Sequence, residues 1–190
     1  MEMTLLTAEQ LRLVYDRDLS VSFPRDELKP FRAMERMLDR GSYRAWGLMD
    51  GEDIAGLATV WNYAPGWALF DYLCVAPHRR SDGLGSRLVQ ELALAERDNV
   101  LFGESELPEF APDPDMARRR IGFYRRHGFA WNDYPYMQPA LRPQESPIPL
   151  RLMTRNAPLP EEEFHRLKKE IYRTVYGVES IGAKSPGGAL

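Results

Sequence analysis

Residues 75–89 read VAPHRRSDGLGSRLV and lie between a segment of strand character and a segment of helical character. The preceding run, WALFDYLCV (67–75), is rich in aromatic and β-branched residues, which predicts a strand. The following run, LGSRLVQELALAE (84–96), has leucines at helical spacing, which predicts a helix. Gly83 and Gly85 therefore lie at a strand-to-helix turn. Because the first amides of a helix favour an anion, this turn is a candidate phosphate-binding loop.

Two common phosphate-binding motifs are excluded by the residues of this turn. No Gly-Lys-Ser/Thr follows it, so it is not a Walker A loop, and Leu88 stands where G-x-G-x-x-G needs its third glycine. What remains is R-x-x-G-x-G over residues 80–85, in which glycine lets the backbone approach an anion closely. The alternative from the residues alone is an ordinary turn with solvated arginines.

The composition of the chain indicates a globular protein with no general affinity for polyanions. The 190 residues are 44% hydrophobic and 28% charged, with a net charge of -3, so we expect neither nucleic acid nor a membrane surface as a partner. No apolar run reaches the roughly 20 residues that span a bilayer, and the first ten residues do not resemble a signal peptide. We therefore expect a cytoplasmic protein. With one cysteine and three scattered histidines, we expect no metal site.

The remaining pattern predicts alternating strands and helices of an α/β (α+β) protein. Thr7 and Gln10 have the spacing of a capping box, and the Asp50–Gly51 pair predicts a hairpin turn. The boundaries we expect are a single domain over 1–155, a C-terminal helix over 156–176 that packs on it or forms a dimer interface, and a flexible tail over 177–190. Predicted helices cover 7–19, 26–40, 84–97, 116–128 and 160–176, and predicted strands cover 43–63 (a hairpin), 67–75, 100–106, 129–138 and 148–154.

Two motifs resemble those of the Gcn5-related N-acetyltransferase (GNAT) family. VAPHRRSDGLG (75–85) is similar to the family's V-x-P-x-x-R/Q-x-x-G-x-G/A motif, and FYRRHGF (123–129) is similar to its F/L-Y-x-x-x-G-F segment. Both lie in the expected order along residues 43–138. The resemblance implies a GNAT-like mixed, mostly antiparallel central sheet flanked by helices. It also implies that acetyl-CoA is the co-substrate and that an amine accepts the acetyl group.

The resemblance assigns a cofactor-binding set to the turn and to the strand before it. The loop would hold the pyrophosphate of coenzyme A, and the strand backbone would pair with the pantetheine arm. The loop residues are Arg80, Ser81, Asp82, Gly83, Leu84, Gly85 and Ser86, and the strand residues are Leu73, Cys74 and Val75. Cys74 itself lies in an apolar strand, which favours a small core residue over a nucleophile.

The resemblance also suggests catalytic residues. Tyr124 stands where many relatives carry the general acid for the departing thiolate, although an aromatic residue packed on the sheet is the alternative. Glu104 matches a glutamate that some relatives use as a base, and Glu106 lies on the same face of the predicted strand. Asp71, in the strand before the loop, is the third candidate base. Any of these carboxylates could instead be solvated or ion-paired.

The acceptor side of the site departs from the family pattern. Ala117 stands where many relatives have an asparagine, and the proline-rich segment 107–115 is longer than usual. Acidic residues in this part of the chain would attract a cationic amine, either a small amine or a protein amino group, unless they form only a solvated loop. An alternative function is a non-catalytic acetyl-CoA sensor, and a further one is a general nucleotide-phosphate binder.

Overall fold

Strands and helices alternate along the chain in a computed structural model that describes residues 1–25, 27–80, 82–142 and 144–181. Every strand pairing described within the two compact units of the chain, which divide at Leu101 and Phe102, is antiparallel. The strands are β1 (Glu2–Leu5), β2 (Tyr43–Asp50), β3 (Asp53–Ala64), β4 (Trp67–Val75), β5 (Val100–Glu106), β6 (Phe129–Trp131), β7 (Tyr136–Gln138) and β8 (Ile148–Arg155). The helices are α1 (Ala8–Val14), α2 (Ser20–Ser22), α3 (Phe31–Asp39), α4 (Leu84–Ala95), α5 (Pro114–Arg126) and α6 (Glu161–Thr174).

The first unit contains β1 to β4 in sequence order. The predicted hairpin is confirmed, because β2 and β3 pair across a turn at Gly51, whose φ of 63° suits glycine. Helix α4 packs against β1, β3 and β4, and its buried leucines supply that contact. The predicted capping box is also confirmed, since the Gln10 amide donates to Thr7 Oγ1 at 3.2 Å and the Thr7 amide donates to Gln10 Oε1 at 2.9 Å.

One buried carboxylate joins the end of α4 to the strands. The Glu96 side chain is fully buried, and Arg44 and Trp46 of β2 donate to it at distances from 2.7 to 3.2 Å. Asn62 of β3 and Asn99 donate to its Oε2 atom at 3.4 and 2.9 Å. A buried charge is tolerated only when it is paired and hydrogen-bonded, so this set of donors fixes where α4 ends.

In the second unit, β8 lies between β5 on one edge and β6 and β7 on the other. Helix α6 buries one apolar face, as the helical spacing of residues 160–176 predicts. The buried residues of this segment are Phe164, Leu167, Ile171, Tyr172, Val175 and Tyr176. The phenol of Tyr172 donates to the Met137 carbonyl oxygen at 2.7 Å, so α6 packs within this unit. The predicted boundaries at 155 and 176 stay predictions, and residues 182–190 of the predicted tail lie outside the described residues.

Two predicted elements differ from those observed, and one observed strand was not predicted. The helix predicted over 26–40 begins at Phe31, because proline at position 30 disfavours helical backbone before it and the Lys29 amide donates instead to the Tyr72 phenol at 2.8 Å. Asp26 lies outside the described residues. The strand predicted over 129–138 is divided into β6 and β7, and Pro135 between them has no amide hydrogen for a ladder. Strand β1 was not predicted.

We predict that Glu96→Gln destabilises the protein by about 2 kcal/mol, because it leaves Arg44 without its buried counter-charge. The matched control is Glu91→Gln in the same helix, where the partly exposed pair with Arg87 is 3.9 Å long and its loss costs less than about 0.5 kcal/mol. Urea unfolding of the two variants measures both effects. Equal free energies of unfolding would contradict the structural role of Glu96.

Candidate functional site

The strand-to-helix turn is where the sequence predicts it. Strand β4 ends at Val75, and Gly83 is the N-cap residue of α4, with a φ of 73° and no side-chain capping bond. The amides of Ser86 and Arg87 donate to the Gly83 carbonyl oxygen at 3.1 and 3.3 Å. Because the earlier amides of a helix have no acceptor within it, the first turn of α4 presents N–H groups at this end. Apart from the two chain neighbours of Gly83, no heavy atom of the described residues lies within 4 Å of the position that a Cβ would take there, so its surroundings are open.

The two arginines of the turn have different partners. Arg79 donates to Asp50 at 2.8 Å and to Asp53 at 3.4 Å, and the hydrogen bond from Arg79 lowers the pKa of the Asp50 carboxyl. Arg80 is exposed and donates to Ser22 Oγ at 2.7 Å. Arg79 therefore connects the turn to the β2–β3 hairpin, whereas Arg80 connects it to Ser22 of α2.

The other predicted cofactor residues follow the same strand and turn. Leu73, Cys74 and Val75 are the last residues of β4 and lie opposite Ala58, Leu57 and Gly56 of β3. Cys74 is buried, and burial raises the pKa of its thiol, which confirms the interpretation of a core residue. Asp82 is exposed, Leu84 is buried, and Gly85 and Ser86 are half-buried. Ser81 lies outside the described residues.

Asp71, one of the three candidate bases, is part of a buried ion pair. Its Oδ1 atom accepts from Lys29 Nζ at 2.6 Å, and its Oδ2 atom accepts from the Tyr43 phenol at 2.7 Å. Both charged side chains are less than 5% exposed. Burial, followed by the charge of Asp71, raises the pKa of the Tyr43 phenol well above its ordinary value. This pair anchors the segment before α3 to β4.

Tyr124 lies on α5 with its ring buried. Its ring meets those of Phe123 and Phe129 at centroid distances of 5.4 and 5.7 Å. Burial raises the pKa of the Tyr124 phenol to about 12, although the charge of Arg120 opposes part of this effect. The phenol therefore stays protonated near neutral pH and can act as a proton donor.

Glu104, the second candidate base, accepts hydrogen bonds from two tyrosines. The Tyr136 phenol of β7 donates to Oε1, and the Tyr176 phenol, beyond the end of α6, lies 3.0 and 2.9 Å from the two carboxylate oxygens. Glu106, two residues further along β5, instead pairs with Arg120 of α5. The two carboxylates share a face of β5, as predicted, but their partners differ in charge.

Tyr124 and Glu104 lie on opposite faces of the strands in the second unit. Glu104 is opposite Leu152 of β8, whereas Phe129, which the Tyr124 ring contacts, is opposite Arg155. Residues three apart along a strand point to opposite faces, and residues directly opposite one another share a face. A phenol donor and a carboxylate acceptor are thus presented on two different sides of this unit.

Four residues around the candidate carboxylates were not predicted from the sequence: Lys29 and Tyr43 at Asp71, and Tyr136 and Tyr176 at Glu104. The spacing of Tyr172 and Tyr176, four residues apart in a predicted helix, is a signal that both lie on its buried face. No sequence signal indicates which carboxylate they meet, because the partners are separated by 32 and 72 positions.

Two acidic residues at the start of α5, Asp113 and Asp115, have partners within the second unit. Asp113 caps α5 by accepting from the Met116 amide at 2.9 Å, and Asp115 pairs with Arg118 at 2.7 Å.

In the described part of the chain, no three His, Cys, Asp or Glu side chains are grouped to hold a metal ion. Within the same residues, no helix combines the length and apolar character needed to cross a bilayer.

Part of the chain matches the model of a known family, and the fold is similar to solved structures. Residues 41–130 match the family model described as an acetyltransferase (GNAT) domain. A putative GNAT acetyltransferase from Bacteroides thetaiotaomicron has a similar structure, with a TM-score of 0.82 and 24% identity over 94% of this chain and 99% of that one. The ribosomal-protein-S18-alanine N-acetyltransferase of Escherichia coli is similar with a TM-score of 0.54 and 18% identity, over 84% and 96% of the two chains.

A Bacillus subtilis acetyltransferase, solved in complex with CoA, has a TM-score of 0.57 and 12% identity over 82% of this chain and 98% of that one. No curated protein sequence matches the chain significantly. The structural similarities confirm the predicted fold class, and the family match covers both the strand-to-helix turn at residues 80–85 and Tyr124. Residues 41–130 therefore match a GNAT acetyltransferase domain, and the chain shares the fold of GNAT acetyltransferases, as its two motifs predict.

Proposed function

We propose that this protein transfers an acetyl group from acetyl-CoA directly to an amine, which is either a small amine or a protein amino group. The observation that carries the proposal is the glycine-capped N-terminus of α4, which lies in the R-x-x-G-x-G motif of a matched GNAT domain. Backbone amides at such a helix end favour the negative charge of a pyrophosphate.

The cofactor set is the one that the motifs predict. Gly83, Leu84, Gly85 and Ser86 offer backbone amides, and Arg80 adds a positive charge beside them. The CoA complex of the similar Bacillus subtilis acetyltransferase supports the choice of ligand. The remaining members of the set are Leu73, Cys74 and Val75 for the pantetheine arm, with Ser81 and Asp82 in the loop.

Among the three carboxylates, Glu104 is the base that the contacts favour. Asp71 is neutralised by Lys29 inside the first unit, and Glu106 is paired with Arg120. A carboxylate held by a cation is a weaker proton acceptor than one held by phenols, because the cation stabilises its charged form more strongly. Glu104 accepts hydrogen bonds from two phenols, and we choose it as the base.

The reaction needs two proton transfers at different atoms. The amine nitrogen attacks the thioester carbonyl carbon, a C–N bond forms, and the C–S bond breaks as the tetrahedral intermediate collapses. Glu104, directly or through a water molecule, accepts the proton that the nitrogen loses, and Tyr124 donates a proton to the departing thiolate sulfur. The products are the acetylated amine and CoA with a thiol.

The acceptor is proposed only as a class. Direct transfer needs a neutral amine, and a carboxylate base is suited to removing its proton as the C–N bond forms. The similar Escherichia coli enzyme is named for acetylating an alanine of a ribosomal protein, which supports the inclusion of protein amino groups. A screen of spermidine and of a peptide with an N-terminal alanine, measured by CoA release, covers both types.

We predict that Gly83→Val weakens acetyl-CoA binding at least about tenfold, equivalent to about 1.4 kcal/mol, as measured by calorimetric titration. A β-branched side chain is strained at the Gly83 φ of 73° and projects into the open space beside the first amides of α4. Gly51→Val is the matched control, because Gly51 has a φ of 63° at the hairpin turn and equally open surroundings. Equal affinity in both variants would contradict the assignment of the loop, and ATP serves as the control ligand.

We predict that Tyr124→Phe lowers kcat roughly 100-fold, the effect typical of losing a general acid. The affinity for acetyl-CoA should stay within twofold of the unchanged protein, because the ring remains packed on Phe129. The rate of CoA thiol release measures kcat, and calorimetric titration measures the affinity for acetyl-CoA. An unchanged kcat would assign Tyr124 to packing alone.

We predict that Glu104→Gln lowers kcat/KM for the amine roughly 100-fold, whereas Glu106→Gln lowers it less than fivefold. The two substitutions are isosteric, lie on the same face of β5 and differ only in which carboxylate they neutralise. Asp71→Asn should lower the thermal midpoint instead, because it leaves Lys29 buried without its counter-charge. A larger kinetic loss in Glu106→Gln than in Glu104→Gln would exchange their roles.

A further inference from the structure

We propose that Tyr136 and Tyr176 are positioning residues for the Glu104 carboxylate, so that the segment after α6 is part of the acetyl-transfer site. The inference rests on the proposed role of Glu104 as the base. It assigns a function to the C-terminal part of the chain, which lies outside the matched residues 41–130. The argument depends on contacts within the second unit alone.

The two phenols reach the carboxylate from different elements. Tyr136 comes from β7, which pairs with β8, and Tyr176 follows α6. Tyr176 Oη lies within 3.0 Å of both Glu104 oxygens, while the Tyr136 phenol donates to Oε1. Hydrogen bonds from two directions restrict the rotation of a carboxylate that one donor would leave free to turn.

Burial makes these contacts hard to replace. Tyr136 and Tyr176 are 2% and 5% exposed, whereas Glu104 is only half-buried. A buried hydroxyl needs an acceptor, because leaving it without one costs about 1–3 kcal/mol. Burial and then the charge of Glu104 raise the pKa of the Tyr136 phenol well above its ordinary value, so this phenol is a donor at any pH of interest. Each phenol therefore orients the carboxylate, and the carboxylate supplies the acceptor that each buried phenol needs.

The segment that carries Tyr176 is itself fixed in place. The Tyr176 amide donates to the Ile171 carbonyl oxygen at 3.2 Å, and the Val178 amide donates to that of Tyr172 at 2.8 Å. The Tyr172 phenol donates to the Met137 carbonyl oxygen at 2.7 Å, and Tyr172 stacks near Tyr136 with ring centroids 5.8 Å apart. The end of α6 is thus bonded to the strand that supplies the other phenol.

For the proposed chemistry, these hydrogen bonds keep the Glu104 carboxylate in a fixed orientation. A carboxylate that accepts phenol hydrogen bonds is stabilised in its ionised form, which is the form that accepts a proton from the amine. Removing one phenol hydroxyl should both loosen the carboxylate and make it easier to protonate. The titratable groups that face Glu104 include Tyr136 from β7, Tyr176 after α6 and Tyr172 of α6, and the β8 residue opposite it is the apolar Leu152.

The decisive comparison is Tyr176→Phe against Tyr172→Phe. Both substitutions remove one phenol hydroxyl from the same C-terminal segment, but the Tyr172 hydroxyl bonds a backbone carbonyl and not Glu104. With acetyl-CoA and either spermidine or the N-terminal alanine peptide, we expect Tyr176→Phe to lower kcat about tenfold with the KM for acetyl-CoA unchanged. The acidic limb of its kcat/KM profile should move to higher pH. Tyr172→Phe should leave kcat and this limb within twofold of their original values.

A second measurement needs no turnover. In protein labelled with ¹³C at the glutamate carboxyls, the Glu104 resonance is identified by its disappearance in Glu104→Gln. We expect it to titrate at higher pH in Tyr176→Phe and Tyr136→Phe than in Tyr172→Phe. Thermal unfolding of all variants separates loss of the carboxylate's donors from loss of the fold.

The outcomes separate the two proposals. If Glu104→Gln abolishes turnover but Tyr176→Phe matches Tyr172→Phe in kcat and in the carboxyl titration, the positioning role is wrong and the base assignment stands. If Glu104→Gln retains full turnover, the base assignment is wrong and the positioning role is overturned with it. Loss of kcat and a displaced titration in Tyr176→Phe alone would support both.

Discussion

The buried Glu96 carboxylate is the constraint on which the first unit depends. Arg44, Trp46, Asn62 and Asn99 all donate to it, and a fully buried charge without such donors would cost several kcal/mol. Because these donors come from β2, β3 and the turn after α4, they fix the C-terminal end of that helix. The helix is about 18 Å long at about 1.5 Å per residue, so fixing one end also determines where its N-terminus begins.

At the N-terminal end of α4, the N-cap residue is Gly83, which has no side chain. An N-cap serine or aspartate would satisfy a first-turn amide of α4, whereas Gly83 has no side chain to do so. The glycine also adopts a left-handed backbone conformation that lets the chain turn from β4 into the helix. One helix therefore has a carboxylate-bound end that provides stability and an open end that suits an anion. This difference between the two ends of α4 explains why the motif has a glycine at a position where stability alone would favour a polar N-cap residue.

The local features of this fold could be predicted from the sequence, whereas the long-range ones could not. The capping box at Thr7, the hairpin at Gly51 and the helix start at Gly83 depend on residues within four positions of one another. Strand β1 was missed because its four residues gain their conformation by pairing with β2, more than 40 positions away. The early start predicted for α3 failed for the same reason, since Lys29 is held by Tyr72 and Asp71 of β4.

The candidate site shows the same limit in chemical terms. Asp71 and Glu104 both read as strand carboxylates beside apolar residues, and no local pattern distinguishes a base from an anchor. What distinguishes them is the donor that each receives from a distant element: an ammonium group for Asp71 and two phenols for Glu104. A cation in contact neutralises a carboxylate, whereas a phenol orients it and leaves its charge in place. The contacts on which we base each proposed role come from residues 42 and 72 positions away, Lys29 and Tyr176, and only the folded chain brings those residues to Asp71 and Glu104.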